Sequence, residues 1–283
     1  MMPVTLSKLQ ATGNDFLVQV ALDDAWRPDA ATVARLCDRH RGIGADGYIA
    51  LLDGDDGADA AMVLRNADGG VAEMSGNGMR TLAWVADREG LTRGDRLVVD
   101  TGSGRRTVDL ERDGRGGVVA AAVDMGPVTF DPAAIPVDAE SPFGLTASVH
   151  GTEYGGDAAG MGNPHWVLLV DDPDTAHVET HGPRLSTDER FPAGANVEFV
   201  HVTSRSALRM RVCERGIGET LSCGTGACAA AAVTHRRGLT DTEVDVIVPG
   251  GTLRVSLGET VRLGGPVRHV FDVEVDPDTI EAA

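Results

Sequence analysis

The chain has 283 residues, 42% apolar and 24% charged, with a formal net charge of −18. That length suits one large domain or two ordinary ones. The acidic balance argues against nucleic acid and against an anionic membrane surface, because both need a basic footprint.

The opening MMPVTLSKLQ has no basic segment leading into an apolar core. No secretory signal is expected, no apolar run is long enough to span a membrane, and a cytoplasmic protein is expected. In chain order, LSKLQ (6–10) and FLVQV (16–20) read as strands, and 30–39 reads as a helix with Val33, Leu36 and Cys37 on one face. Strands follow at AMVLR, RLVVD, HWVLLV, NVEFVHV, ALRMRVC, EVDVIV and TLRVSL, many alternating apolar with polar. In ALRMRVC, Leu208, Met210 and Val212 face one way, and Arg209 and Arg211 the other. Two further helices, GMRTLAWVAD (78–87) and GACAAAAVTH (226–235), are apolar nearly all round, so they should be buried. Each opens at a Gly-rich loop: AEMSGNGMRT (72–81) and ETLSCGTGACAAAA (219–232).

Lys8 is the only lysine, which leaves little room for Schiff-base chemistry. The four cysteines, Cys37, Cys213, Cys223 and Cys228, form no CxxC pair and no His cluster has zinc spacing, so no metal is implied; nor is an organic cofactor. Three of them read as small buried apolar residues.

The chain repeats itself. GND at 13–15 matches GNP at 162–164, and Asn163 lies 149 residues after Asn14. GAD at 44–46 matches GAN at 194–196 at an offset of 150, while Asn66 matches Glu214, and Ser75 matches Cys223, at 148. Four matches in one order at nearly one offset imply two homologous halves. The expected fold is α/β: two pseudo-symmetric domains, each a curled mixed sheet around a central buried helix. The first half is expected over 1–123 and the second over 124–267. The last strand, RHVFDVEV, in the segment 268–283, is expected to complete the first half.

A helix N-terminus offers unpaired N–H groups and a positive dipole end, and glycines let a ligand come close. Two such mouths suit a carboxylate. The same field should lower the pKa of a thiol at the helix start, as at Cys223. One group could then take a proton from a carbon beside that carboxylate while the other delivers one to the opposite face, inverting the centre without a cofactor. A competing reading, dinucleotide binding, rests on Gly224-x-Gly226-x-x-Ala229 with Glu243 downstream, but no apolar strand leads into it.

The stretches KLQATGNDF, RHRGIGADG, RNADGGVAEMSGNGMR, GNPH, FPAGANVEF and ERGIGETLSCGTGACA resemble the diaminopimelate epimerases, pyridoxal-independent amino-acid epimerases, in family order over nearly the whole chain. The resemblance implies interconversion of LL- and meso-diaminopimelate on the route to lysine and peptidoglycan, a small-molecule amino-acid substrate, and a homodimer. Carried over by residue, Gly76, Asn77, Gly224 and Thr225 resemble the grip on the reacting carboxylate. Asn66, Asn163, Asn196, Glu214 and Arg215 resemble the groups that read the distal end. Asn14 matches a family position that lines the site, and His165 one that supports it. An acid beside a guanidinium suits a distal ammonium and carboxylate. Against this stand turn chemistry for the asparagines and a surface ion pair for Glu214 and Arg215.

Ser75 departs from the family pattern, which has cysteine there, as Cys223 has. A hydroxyl is a far weaker acid than a thiol and a poor anionic base. Three readings follow: an engineered replacement that traps substrate, a natural Ser/Cys pair on the same substrate, or altered chemistry such as racemisation or dehydration of another amino acid. A non-catalytic amino-acid-binding protein is the reading outside enzymes. A milder departure is Gly47, where some relatives carry a larger polar residue.

Overall fold

The computed structural model describes residues 2–22, 26–72 and 74–281, so the expected return segment 268–283 is described to residue 281. The chain divides into two compact units, residues 1–123 with 265–283, and residues 124–264.

In the first unit, β1 (Val4–Ala11) and β2 (Asn14–Val20) form an antiparallel hairpin. Its turn puts Thr12 at φ 49° and Gly13 at φ 83°, the left-handed pair that a tight hairpin requires. Helix α1 (Ala30–Cys37) is capped by Asp29, whose carboxylate accepts from Thr32 N–H at 2.8 Å. It carries the chain to β3 (Gly47–Asp53), parallel to β2. Then β4 (Ala60–Asn66) pairs antiparallel with β3 and with β5 (Val71–Ala72). Helix α2 (Gly76–Arg88) crosses over, so β6 (Arg96–Thr101) lies parallel to β4. Hairpins through β7 (Gly104–Arg112) to β8 (Val118–Asp124) follow.

The second unit repeats this order. β9 (Leu145–Val149) flanks β10 (Thr152–Gly160), which pairs antiparallel with β11 (Pro164–Leu169). Helix α3 (Val178–Ser186) leads to β12 (Asn196–Ser204), parallel to β11. β13 (Ala207–Glu214) pairs with β12 and with the short β14 (Gly218–Thr220). Helix α4 (Gly224–Arg236) crosses to β15 (Glu243–Val248), parallel to β13, and β16 (Gly251–Leu257) and β17 (Val261–Pro266) close the meander. β18 (Arg268–Val275) pairs with β1 in the first unit, as β9 pairs with β10 in the second. The same alternation of antiparallel and parallel pairings, twice, is the structural form of the internal repeat.

Each unit wraps its strands around one helix. α2 packs on β1, β2, β3, β4 and β7, and α4 on β10, β11, β12, β13, β15 and β16. α4 buries Ala227 and Ala229–Ala232, whose small side chains let strands approach from every side. The ten expected strands are all present. Those not read from sequence include β3 and β8, apolar runs without alternation, and β7, whose charged residues hide the period. α3 was not read because Gly182 and Pro183 sit inside it, and Gly182 lies where a Cβ would meet Cys213 Cβ at 2.6 Å. Gly47 has a similar reason: a Cβ there would come within 2.7 Å of the Arg65 carbonyl and 3.1 Å of the Phe16 ring.

The buried cation Lys8 pairs with Asp15 at 2.6 Å and donates to the Gly44 carbonyl. Arg39 grips the same carboxylate through two nitrogens, at 2.6 and 3.1 Å, and reaches Asp46 at 2.7 Å. Burial acts to raise the Asp15 pKa, but the hydrogen bonds from Arg39 and Lys8 prevail and hold it at about 2, against an ordinary 3.8. A depressed carboxyl pKa stabilises the folded state above the ordinary value, and that contribution is lost as pH falls through the folded value. Asp15→Asn should therefore cost at least about 2 kcal/mol at neutral pH. In paired thermal melts from pH 7 to pH 2, the gap between variant and native protein should shrink below pH 4. A gap unchanged with pH would refute this account.

Candidate active site

Position 75 is the N-cap of α2. Its backbone is extended, at φ −142° and ψ 122°, and Gly78 N–H donates to Ser75 Oγ at 3.1 Å. Position 223 is the N-cap of α4 with near-identical geometry, φ −119° and ψ 113°. There Gly226 N–H donates to Cys223 Sγ at 3.4 Å, and Thr225 Oγ1 lies 3.5 Å from the sulfur. The two aligned residues thus do one structural job, satisfying an otherwise orphan helix N–H. The N–H groups of Gly76 and Asn77, and of Gly224 and Thr225, belong to these first turns.

Around α2 the side chains form a scaffold. Asn77 is 2% exposed and accepts from Arg80 Nη2 at 2.6 Å and from Thr12 Oγ1 at 3.3 Å. Its own amide donates to Asn14 Oδ1 at 3.3 Å. Asn14 in turn donates to Asp46 at 2.7 Å, which ties it to the Arg39–Asp15–Lys8 cluster. Arg80 is fully buried and also donates to Thr12 Oγ1, Gly76 O and Pro266 O. Thr12, in its left-handed conformation, is held by these bonds from two sides, as strained residues near functional sites commonly are. Asn66 stands exposed at the end of β4, in a turn closed by Gly69 N–H to the Asn66 carbonyl at 2.9 Å.

Around α4 the surroundings are acidic. Glu214 ends β13, accepts from Thr220 Oγ1 and lies close enough to the Cys223 thiol to act on its charge. Asn196 begins β12, donates to the Pro164 carbonyl at 3.1 Å and accepts from Arg215 N–H at 3.0 Å. The Arg215 guanidinium is exposed and rests on the Ala193 carbonyl at 3.2 Å. Asn163, His165 and Glu198 form a line: Asn163 Oδ1 lies 2.8 Å from His165 Nε2, and Glu198 Oε1 lies 2.7 Å from Nδ1. The second unit therefore gathers Asn163, His165, Asn196, Glu214, Arg215 and Cys223. The first gathers Asn14, Asn77 and Ser75.

The expected lowering of the Cys223 pKa is corrected by this environment. Burial pushes the thiol well above its ordinary value, and the Glu214 and Glu198 charges add to the rise. Bonds from Thr225 and the Gly226 N–H oppose it without prevailing. The helix end is outweighed because the thiol is 5% exposed and faces two carboxylates. Glu214 is raised as well, first by burial, although the bond from Thr220 acts downward. Cys37 and Cys213 are buried thiols pushed up to about 12 and about 11, mainly by burial, and are chemically quiet.

Two residues escaped the sequence reading. Arg80 closes the GNGMR run of the first mouth. Glu198 is a lone carboxylate inside the apolar strand NVEFV, an oddity that could have marked it.

The sequence matches the family model described as diaminopimelate epimerase over residues 6–130 and 158–268. It is 42% identical over 277 residues to the diaminopimelate epimerase of Xylella fastidiosa strain M23, covering 95% of each chain. It is 38% identical to that of Nitrosomonas europaea, covering 97% of this chain and all of that one. Among solved structures it is similar to a hydroxyproline epimerase from Agrobacterium vitis, with TM-score 0.72 and 16% identity, covering 98% of this chain and 94% of that chain. A phenazine biosynthesis protein from Bacillus anthracis matches at TM-score 0.68 and 16% identity, covering 97% and 99%.

Proposed function

The chain belongs to the diaminopimelate epimerase family, and we propose that it inverts the α-carbon of diaminopimelate between the LL and meso forms with Cys223 as the strong acid–base group and Ser75 as the weak one. Inversion at one carbon needs a proton acceptor and a proton donor. The chain offers one N-cap side chain from each half for these roles. The first-turn N–H groups at Gly76-Asn77 and Gly224-Thr225 suit the reacting carboxylate, whose charge must be held while the α-proton leaves. Asn66, Asn163, Asn196, Glu214 and Arg215 remain the candidates for the distal end.

One observation carries the reading: a thiol caps α4, and the Glu214 carboxyl lies close enough to act on it. Two neighbouring acids of raised pKa can share one proton between sulfur and oxygen. Glu214 then assists Cys223 in moving the proton, in addition to any contact with substrate. On the side of Ser75, proton delivery falls to the hydroxyl or to a water it holds.

This lopsided pair has a direct signature. Incubated separately with LL- and meso-diaminopimelate in D2O, one isomer should exchange its α-proton several-fold faster than the other. Equal exchange from both would discard the lopsided mechanism. Absence of exchange from either would discard the substrate, and hydroxylated amino acids would be tested next.

A further inference from the structure

In the reaction as described Glu198 acts only through its charge on Cys223, yet its position is unusual. It is completely buried, and its Oε1 meets His165 Nδ1 at 2.7 Å. Its Oε2 is also buried, with no hydrogen-bond partner among the described residues. A buried carboxylate oxygen without a partner is costly, and such groups in native structures call for a reason other than stability. The carboxylate lies beneath the first turn of α4: a Cβ on Gly226 would come within 2.6 Å of Glu198 Oε1.

The other half of the chain shows what stability alone would choose. His165 pairs in register with Asn196, two residues before Glu198, and Phe16 pairs with Gly47, two residues before Ile49. Ile49 lies beneath the first turn of α2, where a Cβ on Gly78 would meet its Cδ1 at 3.1 Å. Phe16 and Ile49 are 4% and 0% exposed. The same fold thus accepts an apolar pair at these positions in one half and a histidine–glutamate pair in the other.

We propose that Glu198 is a positioning residue that fixes the His165 ring, and through it the orientation of the Asn163 amide that faces substrate. The carboxylate accepts a hydrogen bond from Nδ1–H, which settles both the tautomer and the ring plane. The state of Nε2 then decides which end of the Asn163 amide turns toward the ring. It therefore also decides whether Asn163 presents a donor or an acceptor on its other side. A carboxylate and an ammonium at the distal end of an amino diacid need opposite choices, so the line Glu198–His165–Asn163 sets discrimination there. This rests on the epimerase reading, but its first test does not.

The test compares Glu198→Ile, Glu198→Gln and the double exchange His165→Phe with Glu198→Ile, which copies the first half. In 15N-histidine spectra of the substrate-free protein, Glu198→Ile should move the His165 ring signals to the other tautomer, and Glu198→Gln should hold them. The double exchange should melt no lower than the native protein. With diaminopimelate, Glu198→Ile should raise KM roughly tenfold, as for one misoriented hydrogen-bonding group. Glu198→Gln should recover most of that, and the loss should vanish in an Asn163→Ala background. Unchanged His165 signals in Glu198→Ile, or an equal KM loss with and without Asn163, would overturn the proposal. Lack of turnover in every version, with the His165 signals behaving as expected, would instead count against the substrate.

Discussion

Ser75→Cys should raise the turnover of LL- and meso-diaminopimelate by roughly a hundredfold or more, the lower end of what a well-placed acid–base group contributes. The backbone already suits a thiol: Cys223 caps α4 in the same extended conformation, with its sulfur accepting from the N–H three residues on. At position 75 the hydroxyl accepts from Gly78 N–H at 3.1 Å, and a sulfur at slightly greater distance can do the same. The electrostatics differ from those around Cys223. The fully buried Arg80, one turn into α2, braces its first turn by donating to Gly76 O and Asn77 Oδ1. A thiol placed there keeps the positive helix end without the approach of Glu214 and Glu198 that Cys223 meets, so it should ionise more readily than Cys223. The gain should be largest for the isomer that the native protein exchanges more slowly in D2O. Initial rates and α-deuterium content for both isomers decide it. A Ser75→Cys protein that folds and binds substrate but runs no faster would show that the serine is not the weak member of the pair.

The repeat was legible because glycine and asparagine punctuate both halves at one spacing, and the helix mouths because their glycines precede runs too apolar for a surface. Those features are local in sequence. What stayed hidden depends on which strands come together. Asp46 and Asn14 lie 32 residues apart and meet because β2 and β3 run parallel through a crossover. His165 and Glu198 lie 33 apart and meet for the same reason on β11 and β12. Parallel pairing carries no turn signature, so neither contact could be read from pattern. The direction of the Cys223 shift was misread for a related reason. The helix end is visible in sequence, whereas burial and the approach of Glu198 from another strand are not, and here those two outweigh it.

Cys223→Ala should be the most damaging single change to chemistry, lowering turnover by roughly a thousandfold or more while leaving the fold intact. The side chain it removes caps one helix N–H, a contribution of about 1 kcal/mol to stability, so melting should shift only slightly. The same site sets the pH dependence. Burial, then Glu214 and Glu198, hold the thiol above its ordinary value, and a group raised in this way stays protonated through neutral pH. A reaction that needs its thiolate should accelerate with rising pH beyond the range where a free thiol has already ionised. Glu214→Gln removes the nearest charge opposing ionisation, so the rise in kcat/KM should begin at lower pH. It also removes the partner that shares the proton, so the maximal rate should fall. The two effects run in opposite directions and can be read separately from one profile between pH 6 and pH 10. If Glu214→Gln moved the rise to higher pH, the carboxylate would be lowering the thiol pKa, and the arrangement derived from burial and charge around Cys223 would be wrong.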